Sequence, residues 1–386
     1  MQYDAQKILA AAKKLESRLR ELRRDFHRYP ELGFQEVRTT AKIREVLSSI
    51  PDIVFRELSM KTGVVAELPG RKPDSGTIGL RCDIDALPIT EENTHDFVSL
   101  NPGCMHACGH DGHITVNLGA AMLLSEFRPE KNVRFLFQPA EESDPDGAPE
   151  FLANGVLDGL ESVWGFHLNA TSDFGNIGWY DGTVMAGGTG FSLRVKGKAG
   201  HQSYPESCIN AVDVLSKIAV GIESIHQSIR ATRPFNITCC ALVAGNQMNP
   251  QLPGSGYLNG RFAFHEKEVD TILRRKLDLL AKSVCAYYGA TYELDFQDHL
   301  PLTYNHPELG DSVRRHAREF GFPLEQIFPS MGSDDFGYYA DRIPAYYMTF
   351  GLRTSPDFPI AHTTKFNFDE AILPIAAAQF ASCALD

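Results

Sequence analysis

Phe135-Leu136-Phe137-Gln138-Pro139-Ala140-Glu141-Glu142 reads as an apolar strand that runs straight into two carboxylates. Pro139 can donate nothing to a strand ladder, so it ends the strand and sets Glu141 and Glu142 on the loop that follows. Outward from this stretch, short apolar runs alternate with helical spacing: Val64 to Leu68, Ile78 to Cys82, a helix from about His113 to Phe127, Val133 to Gln138, and Val163 to His167. Strands separated by helices predict an α/β fold with a central, mostly parallel sheet and helices on both faces. Sheets of that kind collect ligands at the carboxyl ends of their strands, where the two glutamates stand. A bare Glu-Glu pair is otherwise a solvated turn; here an apolar strand aims it.

The flanks extend the pattern and then break it. Leu15, Leu19, Leu22 and Phe26 recur at helical spacing, predicting one amphipathic helix across the first 28 residues, and Glu36 to Ile50 reads as a second. In the middle of the chain the rhythm changes to a strand (Phe191 to Lys196), a helix (Ile209 to Arg230), two strands (Asn236 to Val243, Tyr257 to Phe264), a helix (Glu266 to Tyr288) and a strand (Tyr292 to Phe296). That order, βαββαβ, is the ferredoxin-like unit. The earlier pattern then resumes with a helix at Asp311 to Phe320, a strand at Ala345 to Phe350 and a helix at Asp369 to Ala381. The expected organisation is an α/β domain of residues 1–184 and 299–386, interrupted by an inserted domain of residues 185–298.

Composition excludes several classes. With 386 residues, 43% hydrophobic and 22% charged, the chain has the makeup of a globular protein of about two domains. Lys plus Arg minus Asp plus Glu is 37 − 49 = −12, a balance that opposes a phosphate backbone, so no nucleic-acid partner is expected. No run approaches the roughly 18 apolar residues of a membrane span, and the first 28 residues lack the apolar core of a signal peptide. A cytoplasmic protein without a membrane partner is the expectation. Cysteines 82, 104, 108, 208, 239, 240, 285 and 383 lack short regular spacing, which predicts reduced thiols and one or two ligands instead of a disulfide framework. Adjacent Cys239 and Cys240 are expected on opposite faces of one strand, as packing residues.

The densest chemical signal is Met105-His106-Ala107-Cys108-Gly109-His110-Asp111-Gly112-His113: three imidazoles, a thiol and a carboxylate just before a helix. Transition metals prefer these donors. Any one of the histidines alone would read as a helix cap, but five such groups in nine residues favour a metal site. Arg81-Cys82-Asp83-Ile84-Asp85 and Trp164-Gly165-Phe166-His167 place further donors where strands are expected to end. His167 alone would be a satisfied core histidine, and His362, in Ala361-His362-Thr363-Thr364, is ambiguous by itself. Of the two glutamates, one can bind metal while the other serves as general base.

Taken in order, Arg81 to Pro88, Met105 to His113, Gln138 to Glu142, Gly165 to Leu168, Gly197 to His201 and the late His362 resemble the M20 metallopeptidases, over nearly the whole chain. The resemblance is strongest to their amidohydrolase branch of N-acyl-amino-acid, hippurate, N-acetyl-diaminopimelate and auxin-conjugate hydrolases. It implies a catalytic α/β domain with an inserted lid, and a homodimer formed through that lid. It also implies two divalent ions (Zn, Mn, Co or Ni) bridged by the Cys108 thiolate, with His110, Glu142, His167 and His362 completing the ligands. Glu141 becomes the general base, Asp83 the carboxylate that orients the site, and His201 a catalytic residue brought by the lid. Arg261 and Asn249 become substrate contacts, with Arg261 for a substrate carboxylate. The implied reaction is hydrolysis of the amide of an N-acyl amino acid or a peptide-like small molecule by a metal-activated water. A dipeptidase or carboxypeptidase activity, a silent metal-binding scaffold, and a thiol enzyme using Cys108 are the alternatives. The sequence departs from the family in Ser143-Asp144-Pro145-Asp146, where relatives are Gly-rich. It departs again in Asn249 to Pro253, one residue longer than the usual lid motif, and in Gly332-Ser333-Asp334-Asp335-Phe336, where Glu is usual at the third place.

Overall fold

The computed structural model describes residues 4–229, 233–245 and 251–385. It divides into two compact units, Met1–Val184 with Tyr304–Phe328 and Tyr338–Asp386, and Met185–Thr303 with Pro329–Gly337.

The first unit begins with α1 (Ala5–Lys14), α2 (Glu16–Arg28) and α3 (Val37–Ser48), then β1 (Val54–Arg56), β2 (Val64–Leu68) and β3 (Thr77–Asp83). It continues through α4 (His110–Phe127), β4 (Asn132–Gln138), α5 (Gly147–Ala153), β5 (Leu160–Asp173), β6 (Ile177–Trp179) and β7 (Gly182–Met185). The second unit contributes β8 (Gly187–Lys196), β9 (Gly200–His201), α6 (Ala211–Gln227), β10 (Phe235–Ala244), β11 (Gln251–Leu252), β12 (Ser255–Phe264), α7 (Lys267–Tyr288) and β13 (Thr291–Leu300). The chain closes with β14 (Thr303–Asn305), α8 (Pro307–Phe320), β15 (Leu324–Gln326), α9 (Gly337–Ala340), β16 (Ala345–Arg353) and α10 (Ile372–Ser382).

Eight strands of the first unit form one sheet in the order β1-β2-β4-β3-β5-β16-β6-β15. Its centre, β4-β3-β5-β16, is parallel throughout, as is β6-β15, while β1-β2, β2-β4 and β16-β6 are antiparallel. Because β3 and β4 are in parallel register, Asp83 pairs with Gln138 and the two chains leave the sheet side by side. Central strands buried on both faces read as near-continuous apolar runs, and all seven residues of β3 are buried. Helix α4 is buried around nearly its whole circumference, from His110 to Leu124. It lies against α10 and α2. Gly119 makes that close approach possible, since a Cβ there would meet Ala377 Cβ at 2.9 Å and Leu19 at 3.0 Å.

The second unit has the element order β8-α6-β10-β12-α7-β13, the expected βαββαβ, with the antiparallel strand order β10-β12-β8-β13. Leu193, Val195, Leu258 and Phe262 from the sheet pack with Ile218, Leu273 and Leu277 from α6 and α7.

Several expected boundaries move. The first 28 residues form two helices, because the backbone turns at Leu15 between α1 and α2. Helix α4 starts at His110, three residues before the expected start, with Gly109 at φ 96° as its N-cap. Strand β5 does not end at His167: it runs fourteen residues to Asp173, because β16 pairs along it past Thr349 opposite His167. Cys239 and Cys240 are both exposed, and a register shift between Cys239 and Ala241 spoils the expected alternation, so they are not packing residues. All eight cysteines are free, in keeping with the expectation of reduced thiols. Residues 329–337, expected with the first domain, cluster with the second unit, where Ala186 N–H donates to Ser330 O at 3.1 Å and to Gly332 O at 2.9 Å. Among the described residues, no helix is long and apolar enough to cross a membrane.

Candidate metal centre

Three loops at one end of the sheet bring the donors together. The first carries Cys108 into α4, the second follows β4 to Glu141 and Glu142, and the third carries His362, whose N–H donates to Ala107 O at 2.8 Å. His167 reaches the same place from within β5. Side-chain donors lying within 4.8 Å of one another include Cys108 with His110 and His167, Cys108 with Glu142 and His362, and His110 with Glu141 and Glu142. Cys108 therefore belongs to two groups.

Hydrogen bonds fix the tautomers of two of these histidines. His110 Nδ1 lies 2.9 Å from the backbone oxygen of Asp85, which can only accept, so Nδ1 keeps a proton and Nε2 is the nitrogen that an ion would claim in place of a proton. His110 Nε2 is buried and has no hydrogen-bond partner, with Asp83 Oδ1 at 3.6 Å and Glu141 Oε2 at 3.8 Å. His167 repeats the arrangement: Nδ1 donates to Leu168 O at 2.8 Å, and Nε2 turns toward Cys108 Sγ at 3.3 Å. Glu142 Oε1 is buried without a well-aligned hydrogen bond, although His362 Nε2 stands 2.8 Å away. Buried polar atoms without partners are costly, and orphaned lone pairs converging from imidazole, thiol and carboxylate suit a transition-metal ion. The residues present fit a metal centre.

The electrostatics agree. Burial opposes a proton on His110, but Asp83 and Cys108 beside it outweigh burial and push its pKa well up. Hydrogen bonding to Cys108 and Glu142 pushes His362 up to about 10. Burial pushes the Cys108 thiol up, with His110 and His362 acting against it. The pocket thus favours positive charge at this point, as a cation site must.

The other histidines of the Met105–His113 motif do something else. His113 Nδ1 donates to Asp83 Oδ1 at 2.6 Å and Nε2 accepts from Leu168 N–H at 3.0 Å, so both its nitrogens are used. His106 is buried with neither nitrogen hydrogen-bonded, and burial pulls its pKa down to about 3, leaving it a neutral core residue. Asp83 is held by Arg81 Nη1 at 2.9 Å, while Arg81 also donates to Gln138 Oε1 at 3.0 Å from Nε. Asp83 thereby orients His113, which in turn holds the backbone beside His167.

Two further residues act on the donors: Asp85, which the sequence offered as a strand-end carboxylate without a role, and Glu36, which it did not offer. Asp85 supplies the oxygen that fixes His110, and its Oδ2 accepts Glu142 N–H at 2.9 Å. The Asp-x-Asp spacing could have revealed it, since alternate residues on an extended chain share a side. Glu36 is fully buried, and its Oε1 accepts Ala140 N–H at 2.8 Å. Its partner is a backbone group 104 positions away, for which a sequence carries no signal.

The remaining expected residues lie in the second unit. His201 is exposed on β9, with Nδ1 accepting Ser203 N–H at 3.2 Å. Arg261 is exposed on β12 and donates from Nη2 to Ser333 Oγ at 3.2 Å. Asn249 lies outside the described residues.

Comparison with known proteins follows the same lines. Residues 79–386 match the sequence profile of peptidase family M20/M25/M40. The chain is 34% identical over 378 residues to an N-acetylcysteine deacetylase of Bacillus subtilis, covering 97% of this chain and 98% of that one. It is 31% identical over 387 residues to thermostable carboxypeptidase 1 of Saccharolobus solfataricus, covering 98% of each. Among solved structures, the YXEP protein of Bacillus subtilis, described as a dinuclear metal-binding peptidase, superposes with a TM-score of 0.87 at 32% identity, covering 97% of this chain and 98% of that one.

Proposed function

The chain belongs to peptidase family M20/M25/M40, and we propose that it hydrolyses the amide bond joining an acyl group to an amino acid or a related small conjugate. The observation that carries this reading is the membership of Cys108 in two donor groups, with the Glu141 carboxylate alongside. Cys108, His110, Glu142, His167 and His362 would hold two divalent ions, and Zn, Mn, Co and Ni all accept this mixture of thiolate, imidazole and carboxylate. When bound, such ions polarise a substrate carbonyl and bring the pKa of water from about 15.7 towards about 7.

Glu141 is the general base: it takes the proton of the attacking water on its carboxylate and returns it to the leaving nitrogen. Asp85 holds the Glu142 amide and so sets where both carboxylates point. His201 is the donor to the developing oxyanion. Because its Nδ1 accepts from Ser203, the neutral ring carries its proton on Nε2, the tautomer that task requires. Arg261 takes the substrate's carboxylate through charge-assisted hydrogen bonds. Pairing of second units into a homodimer and a cytoplasmic setting complete the proposal, the latter supported by eight free cysteines.

The resemblance to a carboxypeptidase supports a second reading, cleavage of a peptide bond beside a free carboxylate. Metal analysis coupled to turnover of acetyl-, benzoyl- and indole-acetyl-amino acids and of dipeptides separates the two. Chelator-sensitive cleavage of the N-acyl series supports the proposal, preference for dipeptides supports the second reading, and bound metal without turnover of any of them overturns both.

A further inference from the structure

We propose that Glu36 is a positioning residue for the Glu141–Glu142 loop, holding the Ala140 amide so that both carboxylates leave the strand in one fixed direction. The inference rests on the roles assigned above to Glu141 and Glu142.

Glu36 occupies the position before α3, where an acidic side chain ordinarily caps its own helix. It makes no such bond. Glu31 does that work instead, its Oε1 accepting Arg38 N–H at 3.0 Å and its Oε2 accepting Thr39 N–H at 2.8 Å. The Glu36 carboxyl is thereby released to reach Ala140 N–H at 2.8 Å.

Ala140 needs such a hold. It is a non-glycine residue at φ 58°, in the left-handed region that L side chains avoid, immediately before the two functional carboxylates. Its carbonyl accepts Gly147 N–H at 2.7 Å, and two residues on Glu142 N–H is taken by Asp85. Three backbone groups of the loop are therefore tied, two of them by buried carboxylates. That choice is an expensive one. Glu36 Oε2 is buried without a well-aligned hydrogen bond, and burial together with the nearby Asp85 pushes the Glu36 pKa up to about 7, outweighing the backbone N–H groups and the Thr62 hydroxyl that act to lower it. An apolar residue would fill the same space at lower cost, so stability alone does not account for an acid here. What the acid provides is an acceptor at one amide, and that amide sets the start of the loop.

The test uses Glu36→Ala, Glu36→Gln and Glu36→Asp in the full chain. In metal-free protein labelled with ¹⁵N and with ¹³C at alanine methyls, the Ala140 amide and Cβ chemical shifts report the left-handed conformation independently of any activity. Glu36→Ala is expected to move these resonances and, under saturating metal, to lower kcat at least about tenfold with KM within about twofold, since small misplacements of a base are that costly. Glu36→Gln keeps an acceptor oxygen and is expected to retain both the shifts and kcat within about threefold. Glu36→Asp keeps the charge but is one methylene too short, so it should behave like the alanine variant and replaces it if that variant does not fold. Wild-type shifts or near-normal kcat in Glu36→Asp would overturn the proposal, as would equal damage in the Gln variant. A wild-type enzyme with no amide hydrolysis would defeat the functional reading alone, because the Ala140 resonances still decide whether Glu36 sets the loop.

Discussion

Glu141 and Glu142 are neighbours with different surroundings, and exchanging each for its amide separates their roles. Glu142 Oε1 lies 2.8 Å from His362 Nε2 and shares a donor group with Cys108, whereas Glu141 Oε2 lies 3.8 Å from His110 Nε2 with its side chain 13% exposed. The amide variants are isosteric, and the Glu142 N–H bond to Asp85 is a backbone bond that survives both. Loop geometry is therefore held while charge and basicity change. Glu141→Gln removes the proton acceptor, and general-base contributions of about 10²- to 10⁴-fold correspond to about 2.7 to 5.5 kcal/mol of barrier. The expected result is a kcat loss in that range with metal content unchanged, measured by steady-state hydrolysis of N-acyl amino acids and by elemental analysis of the same preparation. Glu142→Gln should instead lose metal, since a neutral amide is a weaker ligand than a carboxylate. A Glu141→Gln enzyme with kcat within tenfold of wild type would refute the base assignment, and metal loss in Glu141→Gln but not in Glu142→Gln would mean the two roles are exchanged.

Cys108→Ser should lower the occupancy of at least one metal, because a hydroxyl is a far poorer anionic donor than a thiolate near neutral pH; full two-metal content in that variant would argue against Cys108 as a shared ligand. Since His362 is pushed up to about 10 and Cys108 is also raised, both shed protons on metal loading. Apparent metal affinity should accordingly rise with pH between about 7 and 10, by up to about tenfold per unit for each proton released, and a flat profile in chelator competition would contradict it. Behind the site, Arg23 Nε donates to Asp111 Oδ2 at 2.8 Å, and His27 links that oxygen, 2.8 Å from its Nδ1, to Glu91 Oε1, 3.0 Å from its Nε2; burial there acts to raise the Glu91 pKa. Hydrogen bonds from His27, Ser99 N–H and Asn93 outweigh it and bring the value down from 4.5 to about 2. A carboxylate lowered in the fold contributes stability above its unfolded pKa and loses it as pH falls, so the unfolding free energy from denaturant melts should drop between about pH 4.5 and 2, by up to about 3 kcal/mol, and Glu91→Gln should flatten that slope. For the second unit, His201→Ala should lower kcat at constant metal content and Arg261→Ala should mainly raise KM for substrates with a free carboxylate. Recovery of activity on mixing Glu141→Gln with His201→Ala would assign His201 to a partner subunit's reaction, and its absence in demonstrated mixed dimers would confine His201 to its own chain.

The parts of the fold that could be read from sequence are those whose signals are local. The strands β3 and β4 announce themselves as apolar runs, and the loops carrying Asp83 and Glu141 follow them directly. Pro139 marks the end of β4 by its chemistry alone. The βαββαβ order of the second unit survives because each of its helices is long enough to show its period. What failed was set by tertiary pairing. Strand β5 continues past His167 only because β16 runs beside it, and β6 and β15 are three-residue strands with no period to detect. The segment at Ser330 joins the second unit through backbone bonds to Ala186, which composition cannot encode. At the candidate site Cys108 and His110 stand out because they cluster in sequence and Glu141 and Glu142 because an apolar strand aims them, whereas His167 and His362 are weak or ambiguous alone and enter as ligands only through the family resemblance. Asp85 was visible as a strand-end carboxylate but its task was not, and Glu36 carried no signal at all, because both act largely through backbone groups of the chain.

The three histidines of one nine-residue motif show why donor identity in a sequence does not settle donor function. His106, His110 and His113 are chemically identical side chains, all buried, within seven positions of each other. What differs is the partner on each ring. His106 has none and is kept neutral by burial. His113 has two, a carboxylate on Nδ1 and a backbone N–H on Nε2, so neither nitrogen is available to an ion. Only His110 has its Nδ1 held by one residue, Asp85, through the backbone oxygen at 2.9 Å and Oδ1 at 3.3 Å, while its Nε2 has no hydrogen-bond partner beside Cys108 and Glu141. The acceptor is a backbone oxygen of Asp85, at the end of the strand run that carries Asp83, and the same residue's carboxylate holds Glu142. His110 and the loop bearing Glu141 and Glu142, the proposed ligands and base, are therefore referenced to one residue. A displacement of Asp85 would disturb His110 and Glu142 together, so the two side chains keep their relative placement through the backbone and side chain of a single position.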